Sequence, residues 1–293
     1  MKTKNKNGIF VTINIPPDQS YSSEFLRDYY WLATIIILNL LCIIVNSNKK
    51  ILADQPESPQ TPQTQLSNEV ITEAVEVVNL YEHTPNKNRV PVISCLDIDR
   101  TGKLLAVGGD DHKVRFWDVE KRKFIMHVHE HLDWVRDLAF NHDHSKLVTI
   151  AHDGQIQIWN VQNGNLIAQV NEKVYGLQSV AFSPDSSKIA VCGFDKFMRI
   201  YNTTNGNIIA KSETNNTGNR TIMFSPNGEQ IAAAGRSGIV RVWSTNNPSN
   251  YNDIKGSRRR INAIAFSPDG SKLAVGGDSP FISIINLQTG KRI

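Results

Sequence analysis

This sequence of 293 residues has few of the features that mark enzymes, disulfide-stabilised domains or nucleic-acid-binding proteins. Its three cysteines, Cys42, Cys95 and Cys192, are odd in number and irregularly spaced, so they give no disulfide framework. The net charge is only +4, which does not favour a nucleic acid as partner. There is no glycine-rich phosphate loop, no G-x-S-x-G motif and no H-E-x-x-H motif. We therefore predict no catalytic residues, no cofactor and no small-molecule substrate.

An uncharged stretch, residues 29–48, lies between Asp28 and Lys49 and contains WLATIIILNLLCIIV. About 20 helical residues reach about 30 Å, the thickness of the hydrocarbon layer of a bilayer. We predict a single transmembrane helix here, after a polar tail over residues 1–28. A cleaved signal peptide and a buried soluble helix are the alternatives, although Lys49 and Lys50 stand where a cleavage site would need small neutral residues.

The charges and prolines around this stretch predict how the chain is arranged at the membrane. Four basic residues precede the stretch and two follow it directly, which favours an amino terminus inside and the rest of the chain outside. Residues 49–73 contain Pro56, Pro59 and Pro62 among many polar residues, so we predict a flexible linker.

A pattern that repeats every 42 residues fills most of the remaining sequence. The related pieces are DDHKVRFWD, HDGQIQIWN, FDKFMRIYN, RSGIVRVWS and DSPFISIIN. Each carries a bulky residue at the same place, in the column Trp117, Trp159, Tyr201, Trp243 and Ile285. Apolar residues alternate with a period of two around each piece, and turn sequences such as SPDS, SPNG and SPDG separate the segments. Four short antiparallel strands per repeat, with a period of about 40–45 residues, are typical of a β-propeller blade.

These columns resemble the WD-repeat family from about residue 87 to the end of the sequence. The resemblance implies an all-β propeller with five recognisable blades. They lie near residues 87–128, 129–170, 171–212, 213–254 and 255–293. In this family an amino-terminal strand commonly completes the last blade, and AVEVVNLYEH offers one. We therefore expect residues 74–82 to pair with the fifth repeat in a domain over residues 74–293, while a closed ring and an open arc both remain possible.

The resemblance also implies a buried chain of hydrogen bonds that joins a loop, a turn and two strands within one blade. The second repeat has all four residues of that chain: His131, Thr149, Asp153 and Trp159. The other repeats keep only part of it, so we predict a structural role for these residues and no catalysis.

Histidine is concentrated in HVHEH, where His127, His129 and His131 share one face of an extended strand. A metal site needs ligands that converge at about 2 Å. The resemblance already gives His131 a structural role, and it places the other two on an outer strand. We predict no metal site.

The resemblance implies a partner-binding face made of the loops before the first strands and the turns between the second and third strands. We call it the upper face. The candidate contact residues are Trp134, Arg136, His152, Phe194, Arg220, Arg236 and Arg260. Tryptophan, phenylalanine and arginine are frequent among residues that dominate binding energy in interfaces. A nearby run, KGSRRR, is either a solvated loop or a contact for an acidic peptide, a phosphate or a lipid headgroup.

We expect a non-catalytic interaction scaffold, a membrane-tethered propeller that binds another protein. The alternatives are an enzyme or small-ligand binder that uses the central channel, and a secreted recognition domain.

Overall fold

The computed structural model describes residues 91–128, 131–170, 174, 176–214 and 218–293, and the backbone of two short strands near the amino terminus. The predicted tail is therefore described only in those two strands, which pair antiparallel. The predicted membrane helix, the linker and the strand over residues 74–82 lie outside the described residues. The strands are β1 Lys2–Lys4, β2 Phe10–Thr12, β3 Ile93–Ile98, β4 Leu104–Gly109, β5 Val114–Asp118, β6 Lys123–Val128, β7 Val135–Phe140, β8 Lys146–Ala151, β9 Ile156–Asn160, β10 Leu166–Gln169, β11 Leu177–Phe182, β12 Lys188–Gly193, β13 Phe197–Asn202, β14 Ile208–Glu213, β15 Asn219–Phe224, β16 Gln230–Gly235, β17 Ile239–Ser244, β18 Tyr251–Lys255, β19 Ile261–Phe266, β20 Lys272–Gly277 and β21 Ser283–Asn286.

From β3 onward the strands form five antiparallel sheets, each made of strands that are consecutive in the sequence. We call them blades 1 to 5. Blades 1 to 4 have four strands and blade 5 has three. The last residues of the chain lie along the outer edge of β21, because Ile285 pairs with Arg292 and Ile293 N–H donates to Ile284 O at 2.8 Å. Pairing of residues 74–82 with this blade stays a prediction.

Both faces of the sheets in blades 2, 3 and 4 are buried, which explains why their second strands are apolar almost throughout. Successive side chains of a strand point to opposite faces. In β8, Leu147 packs with Phe116 of blade 1, while Val148 packs with Leu177 of blade 3. One strand therefore contributes to two separate cores.

Four apolar cores join the five blades in series, between blades 1 and 2, 2 and 3, 3 and 4, and 4 and 5. The first strands of consecutive blades also pack side by side: β3 on β7, β7 on β11, β11 on β15, and β15 on β19. Four of the five residues of the bulky column lie in these cores. Trp159, Tyr201, Trp243 and Ile285 each face the preceding blade, which accounts for their recurrence every 42 residues.

The turns that follow the first strands repeat the same local geometry. In blades 3, 4 and 5 a serine hydroxyl accepts the N–H of the residue that begins the next strand, as Ser183 does from Lys188 at 3.0 Å. One residue of each turn has a positive φ, including His144 at 62° and Gly228 at 74°. Glycine adopts this conformation without strain, which explains its place in SPNG and SPDG.

The part of the chain that the structure describes contains no helix long and apolar enough to cross a bilayer.

Candidate protein-binding face

A buried chain of hydrogen bonds connects the upper face of blade 2 to its core. Trp159 Nε1–H donates to Thr149 Oγ1 at 2.9 Å, and Thr149 Oγ1 lies 2.8 Å from His131 Nε2. His131 Nδ1 lies 3.2 Å from Asp153 Oδ2. With the proton of His131 assigned to Nδ1, every hydrogen bond of the chain has a donor and an acceptor. Trp159 donates to Thr149, Thr149 donates to His131 Nε2, and His131 Nδ1–H donates to Asp153. The structure thus brings together the four residues that the sequence analysis grouped.

The carboxylate of Asp153 also holds the backbone of the loop and the turn. It accepts N–H groups from Leu132 and Gln155, each at 2.8 Å. Burial acts to raise the pKa of Asp153, but the hydrogen bonds from His131, Leu132 and Gln155 outweigh it and lower that pKa. An ionised Asp153 therefore fixes both segments of the upper face in this blade.

Blades 1 and 3 keep the aspartate of the turn but pair it with an arginine of the third strand. Arg115 donates to both carboxylate oxygens of Asp111 at 3.1 and 2.5 Å. Arg199 donates to Asp195 at 2.5 Å. Sequence analysis missed this arginine, although it stands two places before the bulky residue in VRFW and MRIY.

Blade 4 lacks the aspartate, because Ser237 occupies that position. Its arginine, Arg241, turns instead to the outer strand and donates from Nε and Nη2 to Asp253 at 2.6 and 2.7 Å. Trp243 Nε1–H donates to Ser212 of blade 3 at 3.1 Å. Blade 2, blades 1 and 3, and blade 4 thus have three different polar contacts at the same place in the fold.

One backbone hydrogen bond recurs in all five blades and builds the upper face. In each blade, the first residue of the turn between the second and third strands donates its N–H. The acceptor is the carbonyl of the residue directly before the first strand. These bonds are Asp110 to Val92 (3.0 Å), His152 to Trp134 (2.8 Å), Phe194 to Gly176 (2.8 Å), Arg236 to Gly218 (3.0 Å) and Asp278 to Arg260 (3.0 Å). They place the predicted contact residues of different blades along one edge of the sheets.

Four of the predicted contact residues present their side chains to solvent on this face. Trp134 is 46% exposed and Phe194 is 45% exposed, and His152 and Arg236 are also exposed. His152 Nδ1 lies 3.2 Å from a carboxylate oxygen of Asp133. An exposed tryptophan and an exposed phenylalanine on a face fixed by backbone bonds give preformed apolar contact area.

The other three predicted contact residues make side-chain contacts within the propeller. Arg136 Nη2 donates to Gln178 Oε1 of the next blade at 3.0 Å. The guanidinium of Arg220 lies 5.8 Å from the ring centre of Phe194 in the preceding blade.

The third of these, Arg260, has its Nε 3.7 Å from Asp278 within blade 5. These arginines therefore connect neighbouring parts of the face, and each keeps part of its surface accessible.

Two carboxylates of the first strands join neighbouring blades. Asp97 accepts the N–H of Phe140 at 2.9 Å, and Asp137 accepts the N–H of Val180 at 3.0 Å. Surrounding protein atoms desolvate both carboxylates although part of each residue stays accessible, and this raises the pKa of Asp97 to about 7 and that of Asp137 to about 6. Perturbed carboxyl groups also occur in active sites. Here their oxygens accept backbone N–H groups, which is a structural role.

The described residues outside this face hold little that resembles a reactive centre. Burial raises the pKa of the thiols of Cys95 and Cys192, so neither is a reactive thiolate at neutral pH. Within the described residues, no three His, Cys, Asp or Glu side chains are placed to hold a metal ion.

Comparison with protein families matches two parts of the chain. Residues 59–201 match the family "Nucleolar protein 10-like, N-terminal domain". Residues 217–244 and 249–285 match the family "WD domain, G-beta repeat". These segments contain most of the strands of the five sheets, and β14 lies between them.

A curated relative with this pattern is a bromodomain and WD repeat-containing protein of Dictyostelium discoideum, 34% identical over 59 residues. The match covers 20% of this chain and 3% of the length of the relative. Together with the five antiparallel sheets and their repeated turns, these findings show that the chain belongs to the WD-repeat β-propeller family.

Proposed function

We propose that this protein is a non-catalytic scaffold whose upper face binds another protein. Membership of the WD-repeat family suggests a protein-interaction scaffold. The observation that carries the proposal is the pair of exposed aromatic residues, Trp134 and Phe194, on a face whose backbone is fixed in every blade. A rigid aromatic side chain loses little conformational entropy when it is buried by a partner.

The polar residues of the propeller support a scaffold over an enzyme. His131 and Asp153 bond to each other and to neighbouring groups of blade 2. The carboxylates of Asp97 and Asp137 accept backbone N–H groups of the next blade. These contacts hold the propeller together, and Thr149 Oγ1, the hydroxyl beside His131, is buried and accepts a hydrogen bond from Trp159.

Affinity capture with matched variants tests this proposal. The Trp134→Ala/Phe194→Ala variant removes the two aromatic contacts. The Ile125→Ala/Ile208→Ala variant removes two apolar side chains of similar exposure, 49% and 42%, from outer strands. Proteins that copurify with each variant are quantified by mass spectrometry, and thermal unfolding is measured in parallel.

We expect a protein that copurifies with the wild type and the outer-strand variant but is lost with the aromatic variant. Loss of two interface aromatics weakens binding by about 2 kcal/mol or more. Unfolding temperatures of the two variants should stay similar to each other, because the residues of both pairs are exposed to about the same extent. Equal retention of every copurifying protein by the two variants would reject the upper face as the binding surface.

We propose in addition that residues 29–48 anchor the protein in a membrane and residues 49–73 connect the anchor to the propeller. The support is the absence of charge from residues 29–48 over about the length that a bilayer requires. After a carbonate wash the wild type should stay in the membrane fraction. An Ile36→Lys/Leu40→Lys variant should be released, because lysine near the bilayer centre is costly. Release of the wild type would reject the anchor.

A further inference from the structure

A loop and a turn of blades 4 and 5 form one unit on the upper face. Gly238 O accepts the N–H groups of Gly256 and Ser257, at 3.1 and 2.9 Å. Gly238 has a φ of 73°, and a Cβ atom there would lie 2.5 Å from Ser257 O. The turn over residues 236–238 and the loop over residues 256–260 therefore touch through their backbones, and glycine is required where they meet.

Three arginines project from this unit: Arg236 from the turn, and Arg258 and Arg259 from the loop. All three are exposed. None of them forms an ion pair with a carboxylate of the described residues. We call these three residues the arginine cluster. It concentrates positive charge, without an ion-pair partner among the described residues, on a backbone that hydrogen bonds hold in place.

Carboxylates elsewhere on the upper face already have cationic or polar partners. Asp111 and Asp195 pair with arginines of their own blades. Asp133 lies beside His152, and Asp278 lies beside Arg260 and accepts from Asn262. The arginine cluster is thus not offset by these neighbouring acidic groups, which leaves it available for a negatively charged ligand.

The size of the cluster favours a short acidic ligand over an extended anionic surface. A membrane or a nucleic acid presents charge over a wide area and would also approach Asp133 and Asp278, whose side chains are 41% and 43% exposed. Like charges in apposition are unfavourable. A peptide segment with a few carboxylates can contact the cluster alone.

We propose that the arginine cluster binds an Asp- and Glu-rich segment of a protein partner. This inference rests on the proposed function, because it assumes that the upper face binds a protein. Guanidinium groups form paired, charge-assisted hydrogen bonds with carboxylates. Since the groups are exposed, the interaction weakens as salt is added.

Fluorescence anisotropy with the full chain tests the proposal. The probe is a short labelled peptide of glutamate, serine and glycine, and its counterpart carries glutamine in place of glutamate. The Arg258→Ser/Arg259→Ser variant removes two members of the cluster. The Lys272→Ser/Lys291→Ser variant removes the same charge from exposed positions at the opposite edge of blade 5.

We expect the glutamate peptide to bind the wild type and the lysine variant alike. The arginine variant should bind the glutamate peptide about tenfold more weakly than the wild type does. The wild type should also bind the glutamine peptide about tenfold more weakly than the glutamate peptide. Equal loss of affinity in the arginine and lysine variants would overturn the proposal, because it would indicate attraction to net charge alone. Binding of the glutamine peptide as tightly as the glutamate peptide would also overturn it.

Two further ligands separate the acidic peptide from other anions. Vesicles containing phosphatidylserine and a single-stranded oligouridylate are compared with the peptide on the same variants. If either binds through the arginines while the glutamate peptide does not, the cluster recognises a lipid or a nucleic acid and the proposal is wrong. If the arginine variant still captures the partner that the Trp134→Ala/Phe194→Ala variant loses, the proposed function stands and this inference fails.

Discussion

Replacing Thr149 by valine tests whether the hydrogen-bond chain of blade 2 stabilises the propeller. The two side chains have similar shapes, so the change removes mainly the hydroxyl. That hydroxyl contacts Trp159 Nε1 at 2.9 Å and His131 Nε2 at 2.8 Å, and all three residues are buried. A buried polar group left without a partner costs about 1–3 kcal/mol. With two such groups, Thr149→Val should lower the free energy of unfolding by about 2–6 kcal/mol.

Thr149→Ser is the matched control, because it keeps the hydroxyl and removes a methyl group. A buried methyl group contributes about 1 kcal/mol, so serine should be the milder change. Unfolding in urea, followed by tryptophan fluorescence, gives the free energy of each variant. Amide hydrogen exchange at Leu132 and Gln155, whose N–H groups donate to Asp153, reports whether the loop and turn loosen. If valine costs no more than serine, the chain of hydrogen bonds does not stabilise this blade.

Two other changes probe the remaining polar contacts. Asp97 has a pKa of about 7, above its ordinary value, so folding favours its protonated form and stability should fall as the pH rises from about 4 to about 7. In Asp97→Asn, the midpoint of urea unfolding should fall less steeply with pH over this range. If the slope is unchanged, the pH dependence comes from other groups. Arg115→Met should cost about 1–3 kcal/mol, because both terminal nitrogens of Arg115 bond to Asp111. Arg199→Met should lower the free energy of unfolding by less, since Nε and Nη1 of Arg199 have no hydrogen-bond partner among the described residues. An equal loss of unfolding free energy in the two variants would contradict this.

The architecture was predictable because the repeat carries it in every copy. Alternating apolar residues predicted the strands, and the shared spacing predicted equivalent sheets. The bulky column could be located in the third strand from sequence, but its contacts could not. The structure places Trp159 against blade 1 and Trp243 against blade 3, so the column belongs to the junctions between blades.

The polar contacts were predictable only where the sequence kept the residues of the family. Blade 2 keeps its full set, whereas blades 1 and 3 pair an aspartate with an arginine. That pairing depends on a close approach between turn and strand that a pattern of residue types does not give. The raised pKa of Asp97 was equally hidden, because it arises from burial of the carboxylate between neighbouring blades, which the residue pattern does not give.

The differences between blades show which interactions leave room for functional change. The bond that builds the upper face joins an N–H to a carbonyl, so it places no demand on the side chains at either end. Tryptophan, phenylalanine and arginine occupy these positions in different blades while the hydrogen bond is kept. The apolar cores between blades stabilise the propeller, so the exposed side chains of the upper face can vary. Selection for a partner can therefore act on Trp134, Phe194 and Arg236 with little effect on the fold, which is why we look for binding at these residues.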